Sequence, residues 1–159
     1  MESALSPAVS FMRGIWRVNR ALERVSKRME SVLGVTAQQR MLVRWIGKFP
    51  DITPGRLASQ LHVDAGTVSS TLARLERRGL LERRRDEEDK RRVSLRLTAQ
   101  GHKLDRPTPG TVEGAVVRLL ARASARDLSA TQRILDALSE ELDREVGARV
   151  PAPRSRRNT

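Results

Sequence analysis

Between Thr53 and Gly101 the chain reads TPGRLASQLHVDAGTVSSTLARLERRGLLERRRDEEDKRRVSLRLTAQG, and the changes of period within this stretch decide the fold. Thr53 followed by Pro54 is a helix start. The threonine side chain can accept an otherwise orphaned backbone N–H, and a proline at the first helical position gives up a donor that had no partner. The short helix that follows carries Leu57, Ala58 and Leu61. His62 and Val63 make a turn, Asp64 caps a second helix, and Val68, Leu72 and Leu75 recur at the four-and-three spacing of a buried helical face. Gly79 closes that helix. The period then drops to two: Leu81 opens a short strand, Arg85 to Arg92 form a charged loop, and Val93, Leu95 and Leu97 alternate with Ser94 and Arg96 on the return. Helix, turn, helix, hairpin is the order of a winged helix.

With Val68, Leu72 and Leu75 turned inward, the same helix presents short polar side chains outward, with arginine further along. A helix that reads the major groove sets its N-terminal half against base edges while cations hold the phosphates. Thr67, Ser69 and Ser70 are the candidate base-edge or phosphate contacts, with Arg74 one turn on, and Arg77 and Arg78 suit phosphate. The small residues Ala58, Gly66 and Ser69 permit close approach. The hairpin tip offers a second contact, because Lys90, Arg91 and Arg92 can enter the adjacent minor groove, where negative potential favours arginine. Asp86, Glu87, Glu88 and Asp89 would repel phosphate there, so they are expected to face back or pair with neighbouring arginines.

Outward from this stretch the chain is helical on both sides. Phe11, Ile15, Val18, Leu22, Val25, Met29 and Val32 form the seam of a long first helix ending at Gly34, a stripe that suits either intramolecular core or a subunit interface. The basic residues of that helix, Arg13 to Arg28, are expected on its solvated face. Thr36 and Gln39 form a capping box for a second helix with Met41, Leu42, Trp45, Ile46 and Phe49 on one face, broken by Pro50 and Asp51. Beyond Thr98 helix resumes, and Pro107, Pro109 and Gly110 interrupt it. Helical spacing returns through Val112, Val116, Leu119, Leu120 and Ala123. A last helix is expected from Ser129, capped with Gln132, through Leu135, Leu138, Leu142 and Val146, followed by a disordered tail from Pro151.

Composition narrows the partners. The 159 residues carry a formal net charge of +12, which calls for a polyanion. Nine cations against four acids precede residue 53, eleven against seven lie in 53–101, and eleven against eight follow, so the excess is diffuse. There is no cysteine, hence no disulfide, thiolate nucleophile, thiol redox sensor or Cys-ligated zinc. No stretch is long and apolar enough to span a bilayer and the N-terminus lacks a signal-peptide pattern, so a cytoplasmic protein is expected. Two histidines, His62 and His102, have no visible nucleophile or base partner, and no Gly-rich phosphate loop is present. Neither an enzyme nor a metal or cofactor site is therefore expected.

The segment from Thr53 to Gly101 resembles the winged helix of the MarR family of bacterial regulators. The most specific part is the wing, where Asp89-Lys90-Arg91 fits a D-x-R pattern at the family's distance before Leu97-Thr98 and Gly101. Gln39 and Trp45 also resemble the family's segment upstream. The resemblance implies a homodimer on a pseudo-palindromic double-stranded DNA site, with repression relieved by a small ligand. It implies a dimerisation helix in 1–35, a DNA-binding domain in 36–101 and C-terminal dimerisation helices in 102–147, beyond which the composition gives a basic tail in 148–159. By position Arg91 would enter the minor groove and Asp89 would brace the wing. A ligand pocket between dimerisation helices and winged helix is implied, for which Met12, Arg13, Trp16, Met41 and Trp45 are available. The chain departs from the family at Ser70, where members often carry arginine, and at the Pro107/Pro109 break. A non-specific or architectural DNA-binding protein is the alternative, and the ratio of specific to random-duplex affinity separates the two.

Overall fold

Caps set the element boundaries in the computed structural model, which describes residues 6–85 and 93–146. Ser6 accepts the Val9 N–H at 3.4 Å and Pro7 takes the first helical position, so α1 (Pro7–Leu33) begins a turn ahead of its apolar stripe. It ends at Gly34, whose φ of +71° is the left-handed conformation that terminates helices. Thr36 and Gln39 exchange both capping-box bonds at 3.2 Å to start α2 (Ala37–Lys48). Thr53 caps α3 (Pro54–Leu61), and His62 ends it at a φ of 50°. Asp64 accepts the Thr67 N–H at 2.8 Å at the start of α4 (Ala65–Arg77).

The hairpin pairs β1 (Leu81–Arg85) with β2 (Val93–Leu97) antiparallel, Leu81 opposite Leu97 and Arg85 opposite Val93. Arg85, expected in the loop, thus belongs to the strand ladder. Ile52 bridges Leu95 from the other side, with bonds of 3.0 and 3.1 Å between Leu95 and the backbone of Ile52 and Asp51. Thr98 then caps α5 (Ala99–Leu104). The prolines interrupt the helix as expected, and α6 (Val112–Leu120) and α7 (Ala125–Val146) follow.

Leu57, Ala58, Val68, Leu72, Leu75, Leu80, Leu81, Leu95 and Leu97 join Val35, Leu42, Val43 and Ile46 in one core. The inward face read for α4 is correct: Val68, Leu72 and Leu75 are at most 1% exposed. Buried apolar area of this kind is the main driving force that seats α4.

The structure departs from the sequence reading in three helices. On α2 the buried residues are Arg40, Leu42, Val43 and Ile46, whereas Met41 and Phe49 are exposed and Trp45 is half-buried. The face is rotated because Arg40 finds acceptors inside the protein. On α1 Met29 alone is fully buried, and Phe11, Ile15, Val18, Leu22 and Val32 lie open in the single chain. The helix through Val112 stops at Leu120, before Ala123, and α7 starts at Ala125, one turn ahead of Ser129. Ser124 supplies that start: its hydroxyl accepts the Asp127 N–H at 3.1 Å and donates to the Asp127 carboxylate at 2.7 Å. Ser129 is inside the helix and donates to the Ala125 carbonyl.

Two compact units divide between Ala115 and Val116. The first includes α1 and α5 along with the winged helix. In the second, Leu119, Leu120 and Leu128 line an apolar groove with Ser129, Thr131 and Gln132. The basic tail lies outside the described residues.

Candidate nucleic-acid interface

The outward face of α4 follows from its inward one. Ser69, Ser70, Arg74 and Arg77 are exposed and Thr67 is half-buried at its edge. All five therefore lie on one element, with Thr67, Ser69 and Ser70 in its first two turns. The Ser70 hydroxyl donates to the Thr67 carbonyl at 3.0 Å, and Arg77 Nε donates to the Ala73 carbonyl at 3.4 Å. Thr71, which the sequence reading did not single out, is buried and donates to the same Thr67 carbonyl at 2.8 Å. Thr67, first through its hydroxyl and then through its backbone N–H, holds the Asp64 carboxyl below its ordinary value.

Arg78, exposed at the end of α4, has a partner within the fold. Its guanidinium donates to the Gly34 carbonyl, tying the end of α4 to the end of α1. Gly34 accepts this contact because a Cβ there would collide with Arg78 Nη2 at 2.5 Å.

The wing stem is cationic and braced. Arg83 Nε reaches Glu76 of α4 at 3.1 Å, Arg84 Nε reaches Glu82 at 2.8 Å, and Arg96 holds Asp51 through Nε at 2.6 Å and Nη2 at 2.7 Å. Asp89, Lys90, Arg91 and Arg92, the candidate residues of the tip, lie outside the described residues. Alternation in VSLRL turns Arg96 outward, whereas Arg83 and Arg84 are neighbours on β1 and both exposed, so no period-two pattern marks that pair.

Asp51 sits at a φ of 65°, a conformation that aspartate and asparagine tolerate better than most residues. The Arg96 side chain, by hydrogen bonding foremost, holds the Asp51 carboxyl below its ordinary value. A depressed folded-state value contributes stability that is present above the unfolded value near 3.8 and lost as pH falls through the folded one. Asp51→Asn keeps the backbone preference and removes the charge. Its thermal midpoint should fall less steeply than wild type below about pH 4, and parallel acid limbs for the two proteins would refute the coupling. The pair is exposed, so solvent screening keeps the effect small.

Two grooves follow α2. Trp45, Lys48, Phe49, Pro50, Asp51, Ile52, Arg56 and Gln60 line one of about 400 Å³, and Met41, Arg44, Trp45, Gly47, Lys48 and Asp105 line another of about 270 Å³. Of the candidate pocket residues, Met41 and Trp45 come together in the second. Met12, Arg13 and Trp16 are exposed on α1 and line neither. The rings of Trp45 and Phe49 stand 5.5 Å apart, and Trp45 Nε1 is buried without an acceptor. Among the described residues no cluster of His, Asp or Glu forms a metal cage, and no helix is long and apolar enough to cross a membrane.

A helix-turn-helix whose second helix is backed by a paired hairpin defines a winged-helix DNA-binding protein. The MarR family model matches residues 33–92. The organic hydroperoxide resistance transcriptional regulator of Bacillus subtilis is 30% identical over 131 residues, spanning 80% of this chain and 86% of that protein. Streptococcus pneumoniae FabT, solved in complex with DNA, shares 27% identity at a TM-score of 0.62 over 86% of this chain and 95% of its own. A point mutant of E. coli MarR complexed with operator DNA shares 27% at a TM-score of 0.64 over 82% and 94%. The chain belongs to the MarR family of DNA-binding transcriptional regulators, proteins that are not enzymes.

Proposed function

We propose that this chain is a homodimeric repressor that binds a pseudo-palindromic double-stranded DNA site and releases it when a small ligand binds. The observation that carries the reading is the two-sided α4, with Val68, Leu72 and Leu75 anchored in the core and Ser69, Ser70 and Arg74 exposed. Thr67, Ser69 and Ser70 meet base edges or phosphates, Arg74 and Arg77 follow along the groove, and Arg91 enters the minor groove with Lys90 and Arg92 near it. Asp89 braces the wing tip. The open apolar stripe of α1 and the apolar faces of α6 and α7 supply the dimer contacts, since an exposed stripe of this length calls for a partner.

The effector site of this reading lies beside α2, where Met41 and Trp45 line one groove, and the exposed Met12, Arg13 and Trp16 of α1 remain candidates outside that groove. With no cysteine in the chain, a ligand releases DNA here without thiol chemistry. The proposed location is the cytoplasm, with the chromosome as partner and no cofactor.

Selection of bound genomic fragments by the purified protein tests the reading. A preferred inverted repeat should bind at least about 10³-fold more tightly than random duplex, and equal affinity at moderate salt would favour the architectural alternative. Arg74→Ala should cost about 1–3 kcal/mol at one base position if it reads a base edge, or weaken all sequences evenly and lower the salt slope by about 1 if it holds phosphate. Binding of Arg74→Ala that matches wild type at every sequence and salt concentration would remove it from the interface. Arg91→Ala should weaken binding with folding and dimerisation intact, as read by anisotropy and sedimentation.

A further inference from the structure

Arg40 is the most fully buried charged side chain among the described residues, at 1% exposure, and its hydrogen-bond partners come from α5, α6 and the connection between them. Its guanidinium donates from Nη1 to the Leu104 carbonyl at 2.5 Å and from Nη2 to the Arg106 carbonyl at 2.7 Å and Thr108 Oγ1 at 3.1 Å. Its Nε donates to the Glu113 carboxylate in the first turn of α6. One side chain of α2 thus collects the end of α5, the proline-containing connection and the start of α6. A buried cation without such partners would be strongly destabilising, so the connection is held where Arg40 needs it.

A second tie lies one turn along α2. Arg44 Nη1 donates to Asp105 at 2.9 Å, and Gly47 leaves room for that carboxylate, which a Cβ would approach to 2.2 Å. Thr111, buried at 1%, donates to the Thr108 carbonyl at 2.7 Å and accepts the Gly114 N–H at 3.2 Å, so the start of α6 is itself capped. Because α2 and α4 share one core, the start of α6 is referenced to the recognition helix through Arg40.

We propose that Arg40, paired with Glu113, is a positioning residue that fixes the α5–α6 connection against α2 and thereby sets which half-site spacing the dimer accepts. The inference rests on the dimeric operator reading above. A dimer that reads an inverted repeat needs its two recognition helices one helical turn apart, about 10–10.5 bp or a multiple. A loosened connection lets that separation vary without altering how one α4 meets one half-site.

The test uses inverted-repeat duplexes whose half-site separation is stepped by single base pairs, together with a single half-site duplex, against wild type, Arg40→Met and Glu113→Gln. Each variant should bind the best-spaced repeat about tenfold or more weakly, a loss of about 1.4 kcal/mol. Each should also show a flattened spacing profile while holding wild-type affinity for the half-site. Glu113 is 31% exposed, so Glu113→Gln keeps the experiment decisive if Arg40→Met fails to fold. An unchanged spacing profile in Glu113→Gln would overturn the proposal, as would equal losses on repeat and half-site. A wild-type protein indifferent to spacing would instead overturn the operator reading, and this inference with it.

Discussion

Gly101→Ala is expected to lower the free energy of unfolding by about 2 kcal/mol or more, although alanine is the better helix former by about 1 kcal/mol. Gly101 is buried in α5, and a Cβ there would stand 2.0 Å from the Leu80 carbonyl oxygen and 3.2 Å from the Leu97 Cβ. The carbonyl cannot step aside cheaply. It accepts the Thr98 N–H at 3.2 Å, and the Thr98 hydroxyl in turn bonds the Gly79 carbonyl at 2.6 Å and caps α5 through the Gly101 N–H at 3.1 Å. The added methyl would prise α5 from the root of the hairpin, so weaker DNA binding should accompany the loss. Gly14 is the control: it lies within α1 with nothing inside 4 Å of its added Cβ, and Gly14→Ala should stabilise by about 0.5–1 kcal/mol. Urea unfolding of both variants checks the pair, and a Gly101→Ala midpoint at or above wild type would sink the argument.

Leu72→Ala should cost about 2–5 kcal/mol, the range for emptying a fully buried leucine site. Leu72 is 0% exposed in the core that seats α4, flanked on the same face by Val68 and Leu75. Since domains of this kind are stable by only about 5–15 kcal/mol, the loss is a large share of the total. Leu72→Met conserves volume and should cost less than about 1.5 kcal/mol. DNA affinity should fall for Leu72→Ala in step with the unfolded population, because the groove-facing side chains of α4 are untouched. A thermal midpoint for Leu72→Ala within a degree of wild type would contradict the placement of α4 in the core.

The winged helix is legible in local patterns along the chain. Thr36, Thr53, Asp64 and Thr98 each meet a backbone N–H three residues on, Val68, Leu72 and Leu75 repeat at helical spacing, and Val93, Leu95 and Leu97 alternate. These are local rules, satisfied by partners within one or two turns, so they are legible from neighbouring residues and carry the candidate face of α4 with them. Where two local patterns competed, locality was insufficient: Ser124 with Asp127 and Ser129 with Gln132 both resemble helix starts, and the three-dimensional chain uses the first.

Other features depend on contacts between residues far apart in the chain. The Arg78 guanidinium donates a hydrogen bond to the carbonyl of Gly34, 44 residues away, a partner that no local pattern announces. The face of α2 is set by Arg40, whose carboxylate partner is 73 residues on, and no periodicity marks an arginine for the interior. Burial of a charge depends on whether acceptors converge on it from elsewhere in the fold, and the apolar stripe of α1 is left open because too little of this single chain packs against it. Both are matters of long-range packing, which the order of residues along one helix does not encode.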